Sequence, residues 1–260
     1  MITGAALLAM SAQAQFSGTY TDGDFLLGFR ATGGQGAAND ILVDLGQINF
    51  STTTTFSTPN LDSLLTSNFG SNWFTRADLL FGAAARAQSG DSNTSTTYGT
   101  SPETVGGSEA ILWPEPTGTQ ANQLKGKISG EGGAYQNAGP TMSAPAISQL
   151  TSATNSYGSY QPGGTTANSN GISYAYFNPD IEASNPSAST LDVIQLVPTT
   201  GGPPGVDVGD LTIDSSGNVK FTPDSAEMTV VPEPSVTALV SIAVVGMILF
   251  CLRRRIAKAS

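Results

Sequence analysis

The sequence predicts a mainly β protein: one β-sandwich or jelly-roll-like domain with long polar loops, followed by a C-terminal transmembrane helix. Three observations predict it. Short apolar and β-branched runs alternate with turn-forming Gly, Pro, Ser and Asn throughout the first 230 residues. Gly, Ser and Thr together make about a third of the 260 residues, far above ordinary globular usage. Val236–Leu252 is a run of 17 uncharged residues at the C-terminus.

The strands follow from local pattern. Asp24–Ala31 (DFLLGFRA) is apolar and aromatic, bounded by Thr21-Asp22-Gly23 and by Gly33-Gly34. Ile41–Ile48 forms a second run, and Thr190–Val197 is β-branched. Ile172–Phe177 alternates behind the turn dipeptide Asn170-Gly171, and Ala110–Trp113 is a short run. Leu211–Asp214 and Asn218–Thr222 flank Ser215-Ser216-Gly217 and read as a hairpin. Asp78–Ala87 is open between helix and strand, because its alanines favour helix. Leu61–Phe69 reads as a helix, with Asn60 placed to cap its start and Gly70 to end it. Ala144–Ala153 is a weaker helical segment. Thr52–Thr55, Gly90–Gly99 and Tyr157–Gly171 read as polar loops at the edges, and Val197–Gly209 as a connection between parts of the sheet.

Composition excludes several kinds of chemistry. With no His there is no His-based triad and no His-ligated metal; with one Cys there is no intrachain disulfide and no Cys-based zinc site. The formal net charge is −10, unevenly placed: all 20 acidic residues precede Ser235, against only six basic ones there. A surface so acidic does not suit a phosphate backbone, so no nucleic-acid partner is expected; the surplus reads first as solubility. Gly33-Gly34-Gln35-Gly36 lacks the Lys-Ser or Lys-Thr of a phosphate loop, and no cofactor is expected.

The ends carry targeting signals. Ile2–Met10 is a short apolar run followed by Ala12-Gln13-Ala14, so residues 1–14 read as a signal peptide and the exported domain spans 15–231. No Lys or Arg precedes the run, which implies a true start further upstream. At the other end, a helix of 17 residues is about 26 Å long, short but sufficient to span a bilayer when arginine stems extend it. Arg253, Arg254 and Arg255 stop the span and place the tail in the cytoplasm and the body outside. Cys251 reads as an apolar filler of the span rather than a lipidation site.

Pro232-Glu233-Pro234 stands just ahead of that span as an extended, accessible backbone. Val231-Pro232-Glu233-Pro234, the apolar span and Arg253–Arg255, in this order and at the chain end, resemble the PEP-CTERM sorting signal, covering residues 232–260. The resemblance implies a Gram-negative bacterial exported protein handled by an exosortase, in the cell envelope or extracellular, membrane-anchored before processing, and linked to exopolysaccharide or biofilm matrix. Tyr20–Gly34, Ile41–Gly46, Asn72–Leu79 and Gly209–Phe221 are similar to a pattern found in such proteins of the verrucomicrobial and planctomycete kind. No activity comes with that likeness, so the expected role is structural or matrix-associated and not enzymatic.

The alternative is a carbohydrate-binding module or a carboxylate-dependent glycoside hydrolase. Asp22/Asp24, Asp40/Asp44, Asp180/Glu182 and Asp207/Asp210 are the carboxylate pairs available for hydrolysis, or for Ca²⁺, although no D-x-D-x-D-G loop is present. Trp73, Trp113, Tyr157, Tyr160, Tyr174 and Tyr176 supply rings for a sugar-stacking face; the favoured assignment instead has Trp73, Phe74, Tyr174 and Tyr176 filling the core or covering its edge. No sequence spacing selects catalytic, cofactor or metal residues among these.

Overall fold

A computed structural model describes residues 12–13, 19–87, 96–103, 118–161, 174, 181–197 and 205–224. The chain divides into two units at Asp224/Ser225, and the description concerns the first. The protein is mainly β. Its strands are β1 (Ala12–Gln13), β2 (Asp24–Ala31), β3 (Asn39–Gln47), β4 (Thr54–Phe56), β5 (Leu79–Arg86), β6 (Thr97–Pro102), β7 (Ala146–Leu150), β8 (Ala183–Ser184), β9 (Leu191–Leu196), β10 (Val206–Ile213) and β11 (Val219–Pro223). Among the described residues three helices accompany them: α1 (Leu61–Phe69), α2 (Gly118–Asn137) and α3 (Tyr157–Tyr160), with a 3-10 turn at Trp73–Thr75.

All strands belong to one sheet, in the order β1-β4-β11-β10-β9-β6-β5-β2-β3-β7, with β8 added to β5. Every pairing is antiparallel except the two-residue contact of β1 with β4. This corrects the sandwich expectation: one continuous sheet curls on itself, so its two faces are an inside and an outside rather than two facing layers.

Period-two alternation sorts the side chains. Phe25, Leu27, Phe29 and Ala31 of β2, with Ile41, Val43 and Leu45 of β3, point inward to a core that also takes Phe56, Phe81, Val193, Leu211 and Phe221. Phe29 and Phe81 are register partners and stack at 6.0 Å. Leu61, Leu65 and Phe69 of α1 close this core. The opposite face carries Leu26, Leu42, Ala84 and Ile194 and is covered by α2 and α3 through Leu124, Ile128, Tyr135, Tyr157 and Tyr160. Burial on both faces explains why β2 and β3 read as continuous apolar runs.

The segment leading into α1 joins distant parts of the curl. The Thr58 hydroxyl donates to the carbonyl of Gly217 in the β10–β11 turn. Two residues on, the Asn60 side chain donates to the Ala146 carbonyl at 2.7 Å and accepts from the Ala146 N–H at 3.0 Å, at the start of β7. Asn60 therefore precedes α1 as expected but spends its side chain on β7, not on the helix N-terminus. Gly70 ends α1 at φ 95°, with its N–H on the Thr66 carbonyl.

Local chemistry misled the reading elsewhere. Ala144–Ala153 contains strand β7, because pairing with β3 outweighs its helix propensity. Asp78–Ala87 is strand β5, held between β2 and β6. The polar stretch at Thr97–Gly99 belongs to β6, in the middle of the sheet, and Thr54–Thr55 belongs to β4. Val206–Gly209 already belongs to β10. Tyr157–Tyr160 is a buried helical turn, not an edge loop. The 20-residue α2 had no clear sequence signal, although Ala121, Leu124, Ile128, Glu131 and Tyr135 recur at helical spacing on its buried face. Its glycines obscured that stripe, and two have a packing role. A Cβ at Gly130 would meet the Tyr160 hydroxyl at 2.8 Å, and one at Gly132 the Tyr20 ring at 2.3 Å.

Candidate functional site

Three places combine polar chemistry with burial or concavity. The first lies outside β2, β3 and β5. Gly28 and Gly82 are register partners there, and they leave a trough in the sheet. The Tyr157 ring fills it: a Cβ at Gly28 would lie 2.1 Å from Tyr157, and one at Gly82 2.4 Å from the Ile181 carbonyl. Beside the trough, Arg30 binds the Glu182 carboxylate through Nε at 2.9 Å and Nη2 at 2.6 Å. Asp40, cross-strand from Arg30, accepts from the Gly158 N–H at 2.6 Å and from the Thr151 hydroxyl at 2.9 Å. These carboxylates anchor α3 and Arg30, which is a packing role.

Deeper under α2, Glu131 is fully buried among apolar residues. The Tyr174 hydroxyl donates to its Oε2, while Oε1 has no partner. Burial pushes this carboxyl up to about 8, against the smaller opposing effect of the Tyr174 hydrogen bond, so it holds a proton at neutral pH. Asp44 is likewise pushed up to about 7, by burial first and then by the charge of Asp24; the Gly46 N–H donates to it at 2.7 Å.

The second place is a pocket of about 110 Å³ lined by Gly23, Phe25, Gln47, Ile48, Phe50, Arg86, Ala87 and Tyr98. Phe50 and Tyr98 stack at 4.9 Å, and Phe25 meets both rings. Arg86 is held by Asp22 at 2.9 Å and by the Ser129 hydroxyl, while its Nε–H is buried without a partner. Aromatic rings beside the Arg86 side chain suit one small polar ligand or one sugar unit.

The third is an acidic strip on the outer face of β9 and β10, where Asp192 opposes Asp210. Burial, then the charges of Asp207, Asp210, Glu103 and Asp224, push the Asp192 carboxyl up to about 7.

The carboxylate pairs chosen by sequence proximity are mostly separated. Asp22 binds Arg86, whereas Asp24 accepts from the Thr21 N–H at 2.6 Å and hydroxyl at 2.8 Å. Asp40 and Asp44 share one face of β3 but serve different partners. Glu182 pairs with Arg30, and Asp180 lies outside the described residues. Asp207 and Asp210 do share a face, and Asp192, which sequence reasoning did not select, completes their group. The core assignment of the aromatics holds for Trp73 and Tyr174, both buried, and for Phe74, which packs against the core; Tyr157 and Tyr160 are buried as well, and Trp73 also donates to Asp62 at 2.9 Å. Trp113 and Tyr176 lie outside the described residues, as do the Ile172–Phe177 strand apart from Tyr174, Ala110–Trp113, Pro232, Glu233, Pro234, the 236–252 span, Cys251 and Arg253–Arg255.

The pocket residues Phe25, Phe50, Arg86 and Tyr98 are far apart in sequence, so only the curl of the sheet reveals them. Among the described residues, no helix is long and apolar enough to cross a membrane. No protein-family model, curated protein or solved structure matches the chain.

Proposed function

We propose that the chain is an exported protein of the cell envelope or extracellular matrix, sorted by an exosortase through its C-terminal signal, with a structural or matrix-associated and non-enzymatic role. One observation carries this reading: Pro232-Glu233-Pro234, the uncharged Val236–Leu252 and Arg253–Arg255 follow one another in that order. The last described strand, β11, ends at Pro223, and Pro232-Glu233-Pro234 follows it in the chain. Signal cleavage after Ala14 would also remove β1, whose residues pair with Thr54 and Thr55.

Mass spectrometry of the C-terminus of surface-exposed protein tests the reading. In cells with the exosortase, the mature form should lack Val236–Ser260, and Glu233→Ala should slow that step without changing membrane insertion. A dominant species still ending at Ser260 would leave the segment as a plain anchor.

The second reading, a carbohydrate-binding module, is favoured by the pocket lined by Phe25, Phe50, Tyr98 and Arg86. No Asp or Glu lines that pocket, so it supports binding and not carboxylate-dependent hydrolysis there. A glycan array probed with the chain and with Tyr98→Ala tests it: binding lost in the variant supports the reading, and no binding by either overturns it.

A further inference from the structure

We propose that the free edge of β7 is a surface on which two copies of this chain can pair strand to strand, and that the Asn60 side chain keeps it closed. β7 is the end strand of the sheet: β3 pairs with one edge of it, and among the described residues no strand pairs with the other. Hydrogen bonds fix which residues face the open side. The Thr151 N–H donates to the Ala38 carbonyl at 3.0 Å, and the register of β7 with β3 has no shift. Alternate residues of an antiparallel strand bond to opposite neighbours. Ile147 and Gln149 therefore bond to β3, and the N–H and carbonyl groups of Ala146, Ser148 and Leu150 point away from it.

At Ala146 both outward groups are taken, and a side chain takes them. Asn60 Nδ2 donates to the Ala146 carbonyl at 2.7 Å, and its Oδ1 accepts from the Ala146 N–H at 3.0 Å. A carboxamide carries the donor and acceptor of a peptide group, so Asn60 makes the pair of bonds that a residue of a neighbouring strand would make. Two residues on, Ser148 is exposed. At the far end Leu150 is 59% exposed, with its carbonyl on the Ala153 N–H. Edge strands commonly resist pairing through charge, proline or a bulge. β7 itself has none of these, and no Asp, Glu, Lys or Arg occurs between Glu131 and Asp180. Protection of this edge falls to Asn60.

A second copy of this chain is the partner that the edge fits. Antiparallel pairing about a two-fold axis at Ser148 sets Ser148 against Ser148 and Ala146 against Leu150 of the second copy, so outward donors meet outward acceptors. A net charge of −10 opposes self-association over most of the surface, whereas the uncharged stretch around β7 brings no like charges together. With Asn60 in place the ladder stops at Ser148, too short to offset the entropy lost on association. Without that side chain, Ala146 is free in both copies and the ladder runs the length of the strand. The inference does not depend on the export reading.

The test uses the full chain in a non-ionic detergent, with Cys251→Ala to remove its one thiol and Ser148→Cys to place a thiol at the axis. Opposed residues of a hydrogen-bonded pair have Cα atoms about 5.5 Å apart, within disulfide reach. Copper-phenanthroline oxidation is followed on non-reducing gels, and circular dichroism checks that each variant is folded. With Asn60→Ala added, the disulfide-linked dimer should form about tenfold faster than with Asn60 present. Asn60→Ser, too short to reach Ala146 but well suited to the residue ahead of α1, should do the same and serves if Asn60→Ala fails to fold. Asn60→Asp loses the donor but still accepts from the Ala146 N–H, and should crosslink at the slow rate. Ala188→Cys in place of Ser148→Cys should crosslink equally with and without Asn60, which accounts for association through the 236–252 span. Equal rates for Ser148→Cys with and without Asn60 would overturn the proposal. So would Asn60→Asp crosslinking as fast as Asn60→Ala, because loosening of the fold, not opening of the edge, would then be the cause.

Discussion

Asn60 and Ala146 exchange two hydrogen bonds across 86 residues of sequence, at 2.7 and 3.0 Å, and so tie the start of α1 to the outermost strand of the sheet. The strand order ends in β7 on this side and in β4 and β1 on the other, with no pairing between those ends among the described residues. Closure of the curl therefore falls to side chains. Thr58 holds the β10–β11 turn and Asn60 holds β7, while Leu61, Leu65 and Phe69 fill the space between.

Removing this clip should loosen the fold without unmaking it. Asn60→Ala leaves the Ala146 N–H and carbonyl without their partner, at a cost of about 1–3 kcal/mol. Asn60→Asp keeps the acceptor and loses the donor, and should fall between wild type and alanine. Equilibrium denaturation checks the order; a fully stable Asn60→Ala would show that water replaces the side chain and that closure rests on α1 packing alone.

The glycine trough makes a second prediction. Gly28→Ala sets a Cβ against the Tyr157 ring, which is itself confined by α3 and the Asp40–Gly158 hydrogen bond. Overpacking of this kind costs about 1–3 kcal/mol. Gly33→Ala meets nothing within 4 Å and has no positive φ to strain it, so it should leave stability nearly unchanged. Thermal melts of the two variants should separate clearly, and equal melting temperatures would mean that Tyr157 can leave the trough freely.

What the sequence made legible follows the range of the interactions involved. β2, β3 and the β10–β11 hairpin could be read because burial and turn chemistry act within a few residues: Ser215-Ser216-Gly217 reverses the chain, with Gly217 at φ 78°. Leu61–Phe69 was legible for the same reason, through Pro59-Asn60 before it and Gly70 after it. β6 was not, since Thr97, Thr100 and Ser101 look like loop residues and become strand only through β5 and β9 on either side. Thr100 shows how: its hydroxyl is satisfied inside the fold by the Ile181 carbonyl and the Ala83 N–H, both at 2.8 Å, distant partners that no local pattern indicates. The candidate sites were hidden by the same rule. Asp207 and Asp210 were visible as a pair, but Asp192 joins them only through strand pairing, and Glu131 is an acid on an apolar stripe that four glycines disguise.

The buried acids predict an unusual pH profile. Asp44, Glu131 and Asp192 have folded-state carboxyls pushed up to about 7, 8 and 7, whereas in the unfolded chain they titrate near 4. Between those values the folded state binds more protons than the unfolded one, so stability falls as pH rises. Their contribution is unpenalised below about pH 4, declines from there to about pH 8, and is constant above. The protein should therefore melt higher at pH 5.5 than at pH 8.5. Glu131→Gln keeps the shape and removes one titration; it should flatten the profile and add on the order of 1–3 kcal/mol at pH 8.5. A profile that rises with pH over this range, or is unchanged in Glu131→Gln, would show that Glu131 is hydrated or paired in solution.

The charge distribution predicts membrane topology. Four of the ten basic residues lie in the last eight positions, and no acid follows Glu233. The positive-inside bias acts on residues close to the end of a span, so Arg253, Arg254 and Arg255 should retain the tail in the cytoplasm while the acidic body is translocated. A reporter active only in the cytoplasm, fused after Ser260 in cells lacking the exosortase, should be active, because no processing removes it there. Replacing all three arginines by Glu removes the bias without altering the 236–252 span, and should lower reporter activity and let the tail follow the body across. Equal activity in the two fusions would mean that translocation of the body, directed from the N-terminus, fixes the orientation by itself. An inactive wild-type fusion would reverse the proposed topology and, with it, the assignment of Pro232-Glu233-Pro234 to the outer side of the membrane.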